Sequence, residues 1–245
     1  MNKFLVKYDF QTLIDEDKLN QVTDDNDRLL NDAMDASIEK VAGYIRHRYD
    51  YDQVFKVVQP YAAGTAFVED DRVFWDATAW DADTVYTSGD IVSIDTGTES
   101  NEDEKIYQAN DTTVAGESPL TTPAKWDLLA DNNTFYTCIA NSTGNLPTNE
   151  TYFTAGDDRN PLIKEITCDI VLYNIHSKVS PRNIPDVRRV RYDGAGNLKE
   201  GDSAIATLMQ IQKGIVTLDL PVITPTAQKN ESIAYGVQSN IDYNY

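Results

Sequence analysis

Histidine, cysteine and basic residues are all scarce in this chain, and each shortage removes a class of function. The two histidines, His47 and His176, are too few for a histidine-built metal centre, and no glycine-flanked serine nucleophile lies near either. Two cysteines in 245 residues, Cys138 and Cys168, make neither a disulfide framework nor a zinc site and suit a reducing compartment. Lysine and arginine number 21 against 40 aspartate and glutamate, a formal net charge of −19. Such a field repels a phosphate backbone, which excludes binding by bulk attraction but not a path along which DNA slides without sticking. No apolar run approaches a membrane span, and the opening MNKFLVKYDF is too soon charged for a signal peptide. A soluble protein made in the cytoplasm is expected, in which the triplets Asn110-Asp-Thr and Asn141-Ser-Thr carry no glycan.

Motifs for chemistry are missing as well. The stretch Gly194-Ala-Gly-Asn-Leu-Lys-Glu-Gly lacks the Gly-Lys-Ser/Thr ending of a phosphate loop. Carboxylates are abundant, but nothing singles out one pair for acid–base work. Around Asp24 and Asn26 the acidic run has the look of a calcium loop. Its fifth position is Arg28 and its sixth Leu29, where the tight turn needs glycine, so a helix-capping turn is predicted instead. No catalytic residue, metal site or cofactor is expected.

What is present divides by texture. Residues 1–53 carry 12 acids and 7 bases, residues 54–160 carry 19 and 5, and residues 161–245 carry 9 of each, so the negative charge concentrates in the middle. Asp9 is predicted to cap a short helical segment through Asp15, and Asp15-Glu-Asp-Lys-Leu to start a second turn. Leu30, Met34, Ile38, Val41 and Ile45 recur at steps of three and four, predicting a helix from near Asp27 to near Tyr49 with Arg46, His47 and Arg48 in its last turn. Asn160-Pro161 opens another, whose broad apolar face (Leu162, Ile163, Ile166, Ile170, Tyr173) predicts cover on more than one side. After Pro181 and Pro185 a short helix is expected over Asp186-Val-Arg-Arg-Val-Arg-Tyr. A last one starts at Asp202 or Ser203, with core positions Ile205, Leu208, Met209 and Ile211 and a stop at Lys213-Gly214. Beyond Pro221 the chain is polar and bears Tyr235, Tyr243 and Tyr245.

The middle has another period. Val73-Phe-Trp, Thr84-Val-Tyr, Asp90-Ile-Val-Ser-Ile, Lys105-Ile-Tyr and Thr134-Phe-Tyr-Thr-Cys-Ile are short β-prone runs between turn residues. Tyr107, Gly116, Pro119 and Trp126 are echoed by Tyr136, Gly144, Pro147 and Phe153, which predicts two related β units. The fold class expected is α+β: an all-α core of about four helices interrupted by a small β-rich insertion. Its parts are 1–53 and 161–220 for the core, 54–160 for the insertion and 221–245 for an extended tail.

Taken without the middle, the order and spacing of helices resemble the head–tail connector (portal adaptor) family of tailed phages. The match lies in Thr23-Asp-Asp-Asn-Asp, the helix ending Ile38-Glu-Lys-Val-Ala-Gly-Tyr-Ile-Arg-His-Arg-Tyr, Pro161-Leu-Ile-Lys-Glu-Ile-Thr-Cys-Asp-Ile-Val-Leu-Tyr, and Ile184-Pro-Asp-Val-Arg-Arg-Val-Arg-Tyr. Where that family has a short proline-containing loop, this chain holds roughly a hundred extra residues, and the glycine-rich stretch after Tyr192 departs from the family's continuous helix. The resemblance implies a virion protein of the neck, a closed ring of about twelve copies between the portal protein and tail-side proteins, with double-stranded DNA passing through. The insertion is similar, more weakly, to the small chitin-binding type of carbohydrate-binding module, through Trp80, Tyr86, Gly89-Asp90-Ile-Val, Ile106-Tyr-Gln-Ala, Gly116, Pro119 and Trp126. Its partial second copy, ending at Phe153, lacks the tryptophan.

Candidate contacts follow. Lys178, Arg182, Arg188, Arg189 and Arg191 form the one basic cluster, expected to pair with acidic faces of neighbouring subunits or to touch channel DNA. Tyr235, Tyr243 and Tyr245 are expected to dock on the portal. Trp80, Tyr86, Tyr107 and Trp126 are either core or a sugar-stacking surface, which makes a carbohydrate-binding accessory module, or another neck or tail-completion protein, the rival expectation.

Overall fold

In the computed structural model the residues described are 3–95, 104–131, 135–194 and 203–223. The fold is α+β. A 3-10 turn over Lys7–Phe10 leads to α1 (Glu16–Thr23), α2 (Asp27–Ile45) and the single turn α3 (Tyr51–Val54). The β part follows, and α4 (Pro161–Val179), α5 (Asp186–Asp193) and α6 (Ala204–Gln212) then complete the helical frame.

Capping sets the boundaries. Asp24 and Asp25 turn the chain in left-handed conformations (φ 55° and 49°), and the Asn26 side chain accepts from the backbone N–H of Arg28 (3.1 Å) and Leu29 (3.2 Å) to start α2. Asn160 does the same for α4 through Ile163 N–H (3.1 Å), with Pro161 in the first turn, and Ser203 caps α6 through Ala206 N–H (3.3 Å). Three expectations for the helical part need correction. Asp9 is not an N-cap: it is buried at the third position of the 3-10 turn, and its carboxylate reaches back to accept from the N–H of Val6, the turn's capping residue (2.8 Å). Helix α2 ends at Ile45, so Arg46, His47 and Arg48 sit in the turn beyond it. Met209 is 44% exposed, because α6 buries Ala204, Leu208 and Ile211 instead.

One core holds the frame together. Ile38 and Val41 of α2 and Ile166 and Ile170 of α4 lie in a single buried cluster with Phe4, Phe10, Leu19, Val54, Phe55 and Leu208. Helix α4 packs on α1, α2, α5 and α6, which accounts for its broad apolar face.

The β part comprises β1 (Val58–Pro60), β2 (Ala66–Phe67), β3 (Arg72–Phe74), β4 (Ile91–Asp95), β5 (Glu104–Ala109), β6 (Trp126–Asp131), β7 (Phe135–Cys138), β8 (Ser142–Thr143) and β9 (Phe153–Ala155). One sheet has the order β1-β3-β7-β9, with β1 parallel to β3 and the rest antiparallel; another is the antiparallel β4-β5-β6; β2 and β8 pair separately. The expected strand at Thr84-Val-Tyr does not form. The Asp81 carboxylate accepts from Asp83 N–H (2.9 Å) and from the Thr84 hydroxyl, and this local turn outcompetes a ladder. The echo of Tyr107…Trp126 in Tyr136…Phe153 is real in three dimensions: Ala109 faces Trp126 across β5–β6 as Cys138 faces Phe153 across β7–β9.

Two arginines bind the β part to the frame. Arg72 on β3 gives Nε to Asp158 (2.7 Å) and Nη1 to the carbonyls of Val54 (3.3 Å) and Lys56 (3.1 Å). Arg159, at the return, has a side chain with no exposed surface. All five of its N–H donors are used: on the Phe4 carbonyl (2.7 Å), twice on Asp9 (2.7 Å each) and twice on Asp157 (2.7 and 2.8 Å). Its guanidinium also lies 4.4 Å from the Phe135 ring centre. Asp9 is therefore a buried ion-pair partner whose carboxylate also closes the 3-10 turn onto Val6 N–H. Burial alone would raise the Asp157 pKa, but the hydrogen bonds and charges of Arg159 and Lys164 hold it at about 2.

Removing one member of so buried a set leaves an uncompensated charge. Arg159→Ala is expected to destabilise the fold by about 3–5 kcal/mol, read as a lower urea midpoint. Because the Asp157 value is depressed in the folded state, its contribution is complete above the unfolded value of 3.8 and is lost as pH falls toward about 2. Asp157→Asn should flatten the fall in stability between those limits; an unchanged pH profile would contradict the assignment.

Candidate functional site

The basic cluster lies on the C-terminal end of α4, the loop after it, and α5. The structure does not bring its five members to one open surface. Arg191 turns back onto α4, with Nε on Asp169 (2.7 Å) and Nη2 on Glu165 (2.8 Å), two carboxylates one turn apart. Burial pushes the Asp169 carboxyl above the usual range even so. Arg188, three residues before Arg191 on the same face of α5, is 8% exposed and gives Nη2 to the Leu13 carbonyl (2.8 Å). Burial lowers its pKa. Arg189 projects outward and pairs with Asp186 (2.5 Å) within its own helix. Lys178 and Arg182 are exposed and have no ion-pair partner among the described residues. Two cations of the five are thus open for contact, while Arg188 and Arg191 hold α5 to the frame.

Tyr235, Tyr243 and Tyr245 lie outside the described residues. The chain that leads toward them is anchored: Asp50 N–H bonds the Pro221 carbonyl (2.8 Å), Ile223 N–H the Arg48 carbonyl (3.1 Å), and Leu218 N–H the Tyr49 hydroxyl (3.0 Å). Residue 223 therefore leaves the frame beside the point where α2 hands over to the β part.

The four aromatic candidates divide evenly. Tyr86 and Trp126 are 8% and 4% exposed and meet edge to face, centroids 5.4 Å apart, in a small core with Val92 and Ala109. The Tyr86 hydroxyl accepts from Asp81 N–H (2.8 Å). Trp80 and Tyr107 flank that core and are half-buried, so each keeps a face toward solvent. The indole N–H groups of Trp80 and Trp126 are buried without a partner among the described residues.

A cleft of about 400 Å³ beside α4 is lined by Asp9, Lys164, Glu165, Cys168 and Arg191. Its charged groups are already paired with one another or with Arg159, and burial pushes the Cys168 thiol far above the range of a nucleophile. His176 is half-buried on α4, where burial and the Arg188 charge lower its pKa; His47 is exposed after α2. Among the described residues no group of three or more His, Cys, Asp or Glu is placed to hold a metal ion.

The clasp of Asp9, Asp157 and Arg159 and the Arg72–Asp158 pair were missed from sequence; the only local signal is the charged run Asp157-Asp-Arg at the return. The different placements of the basic residues separate assembly from folding. Arg188→Glu is expected to lower monomer stability by about 2–4 kcal/mol, whereas Lys178→Glu and Arg182→Glu should stay within about 0.5 kcal/mol of wild type. Thermal denaturation of the three variants checks this, and equal loss in all three would refute it.

Compared with family models, curated proteins and solved structures, the chain has no match in any of the three.

Proposed function

We propose that the chain is a structural subunit of the tailed-phage neck, a head–tail connector whose helical frame closes into a ring between the portal and tail-side proteins. The observation that supports this is the packing of α2 on α4. Ile38 and Val41 share a core with Ile166 and Ile170 although the whole β part lies between them in sequence, so the two connector-like stretches form one body. Repetition of one heterologous contact closes such bodies into a ring, here of about twelve copies. The exposed Lys178 and Arg182 would meet acidic groups of the next subunit, and the acidic surface would keep passing double-stranded DNA from adhering. The role is mechanical, with no reaction catalysed and no cofactor used. The tail from residue 222, with Tyr235, Tyr243 and Tyr245, would order on the portal.

A second reading is favoured by one observation. Trp80 and Tyr107 keep half-exposed rings on the β part, and rings of this kind stack on sugars, so the insertion could serve as a carbohydrate-binding module on the virion. Retention of the full chain on chitin, lost in Trp80→Ala, would favour it.

Negative-stain images of the protein mixed with its portal test the first reading. Rings seated on the portal are expected; a protein that stays monomeric with portal present would sink it. Lys178→Glu with Arg182→Glu should cut the ring fraction about tenfold, equivalent to about 1.4 kcal/mol per contact. Deleting 222–245 should abolish portal binding with the helical circular dichroism unchanged.

A further inference from the structure

The two related β units do not follow one another: one sits inside the other. Their ladders coincide pair for pair. Across β3–β7, Arg72 faces Thr137, Val73 faces Tyr136 and Phe74 faces Phe135; across β4–β5, Ile91 faces Gln108, Val92 faces Tyr107 and Ser93 faces Ile106. Across β7–β9, Tyr136 faces Ala155, Thr137 faces Thr154 and Cys138 faces Phe153; across β5–β6, Tyr107 faces Leu128, Gln108 faces Asp127 and Ala109 faces Trp126. These correspondences equate β3 with β4, β7 with β5 and β9 with β6. The first strand of the outer unit therefore precedes the inner unit, and its other two follow it.

Features away from the ladders repeat on the same correspondence. The Asp71 carboxylate accepts from Val68 N–H (2.9 Å) as Asp90 accepts from Thr87 N–H (2.7 Å). Asp70 and Gly89, both at positive φ (69° and 102°), donate to the carbonyls of Cys138 (2.7 Å) and Ala109 (2.8 Å). Tyr61 N–H bonds the Phe74 carbonyl as Trp80 N–H bonds that of Ser93, each at 2.8 Å. Pro60 pairs parallel with Phe74, and Ala79 with Ser93. Phe67 meets Phe153 edge to face at 5.9 Å, as Tyr86 meets Trp126. Two generic hairpins would not share register, an aspartate-stapled turn, a left-handed residue and a ring pair.

We infer that residues 77–132 are a complete second copy of the β unit, lodged in the hairpin tip of the first, and that the outer copy's aromatic face is its docking surface. On the pairing above, residues 77–132, which separate β3 from β7, correspond in sequence position to residues 96–103, which separate β4 from β5. The dock is visible in burial. Ile106 and Ala130 of the inner copy belong to the same buried cluster as Val73, Trp75 and Tyr136 of the outer. Trp75 and Tyr136 are each 3% exposed, whereas their counterparts Ile94 and Tyr107 are only half-buried. The outer copy is itself seated on the frame by its opposite face, where Phe74 and Phe135 lie 6.0 and 5.9 Å from the Tyr8 ring. The frame carries the outer copy and the outer copy carries the inner. Nothing in this order depends on the connector reading.

The test replaces residues 77–132 of the full chain by residues 96–103, the sequence that joins β4 to β5 in the inner copy. It is made with and without Trp75→Ile, which supplies the inner copy's residue where the dock is uncovered. Residues 77–132 are produced separately. Expected are cooperative thermal unfolding and dispersed amide resonances in at least one grafted chain and in the separate polypeptide. If the separate polypeptide is unfolded, or both grafted chains are, the inner copy is not a self-contained unit and the inference falls.

Discussion

The guanidinium of Arg159 is the contact on which the arrangement of the molecule depends. It is fully buried where the chain returns from the β part, and it touches the N-terminal segment through Phe4 and Asp9, the β part through Phe135, and its own connecting segment through Asp157. A charge withdrawn from water to this degree is tolerated only with every donor satisfied and opposite charge at contact distance. Here two carboxylates neutralise it and Lys164 offsets their excess. The fork geometry of the guanidinium accepts those partners in one orientation. The clasp therefore selects one docking angle between frame and β part, which apolar contact alone would leave looser.

Around that clasp the frame is an ordinary packed core, and it was the more legible half of the molecule. The three-and-four spacing of Leu30 through Ile45, and Asn160-Pro161 before a broad apolar face, carry helix and burial together in local sequence. Asp9 shows where that ends. An exposed N-cap aspartate and a buried ion-pair aspartate look alike in sequence, and what buries Asp9 is an arginine 150 residues away. The basic cluster divides for a related reason. Five cations are visible in a row, but whether each faces solvent depends on how α5 lies on α4, where Glu165 and Asp169 wait for Arg191.

The β part was legible in a different proportion. Aromatic, glycine and proline spacing revealed the second halves of the two units, because Tyr107 and Trp126 keep recognisable counterparts in Tyr136 and Phe153. The first halves were obscured. Tyr61 stands for Trp80, Phe67 for Tyr86 and Asp70 for Gly89, so side-chain identity changed while hydrogen bonds and ring geometry persisted. A search for tandem copies also looks in the wrong place when one copy interrupts the other.

The junction has a mechanical side. Four remote stretches of chain meet there: Lys3 bridged to Val58, the Val54 and Lys56 carbonyls held by Arg72, the Asp157–Arg159 return, and Pro221 bonded to Asp50. Both strands by which the β part is tethered thus enter through one narrow root, braced from either side. A load on the outermost copy would be delivered to that root rather than spread along the helices.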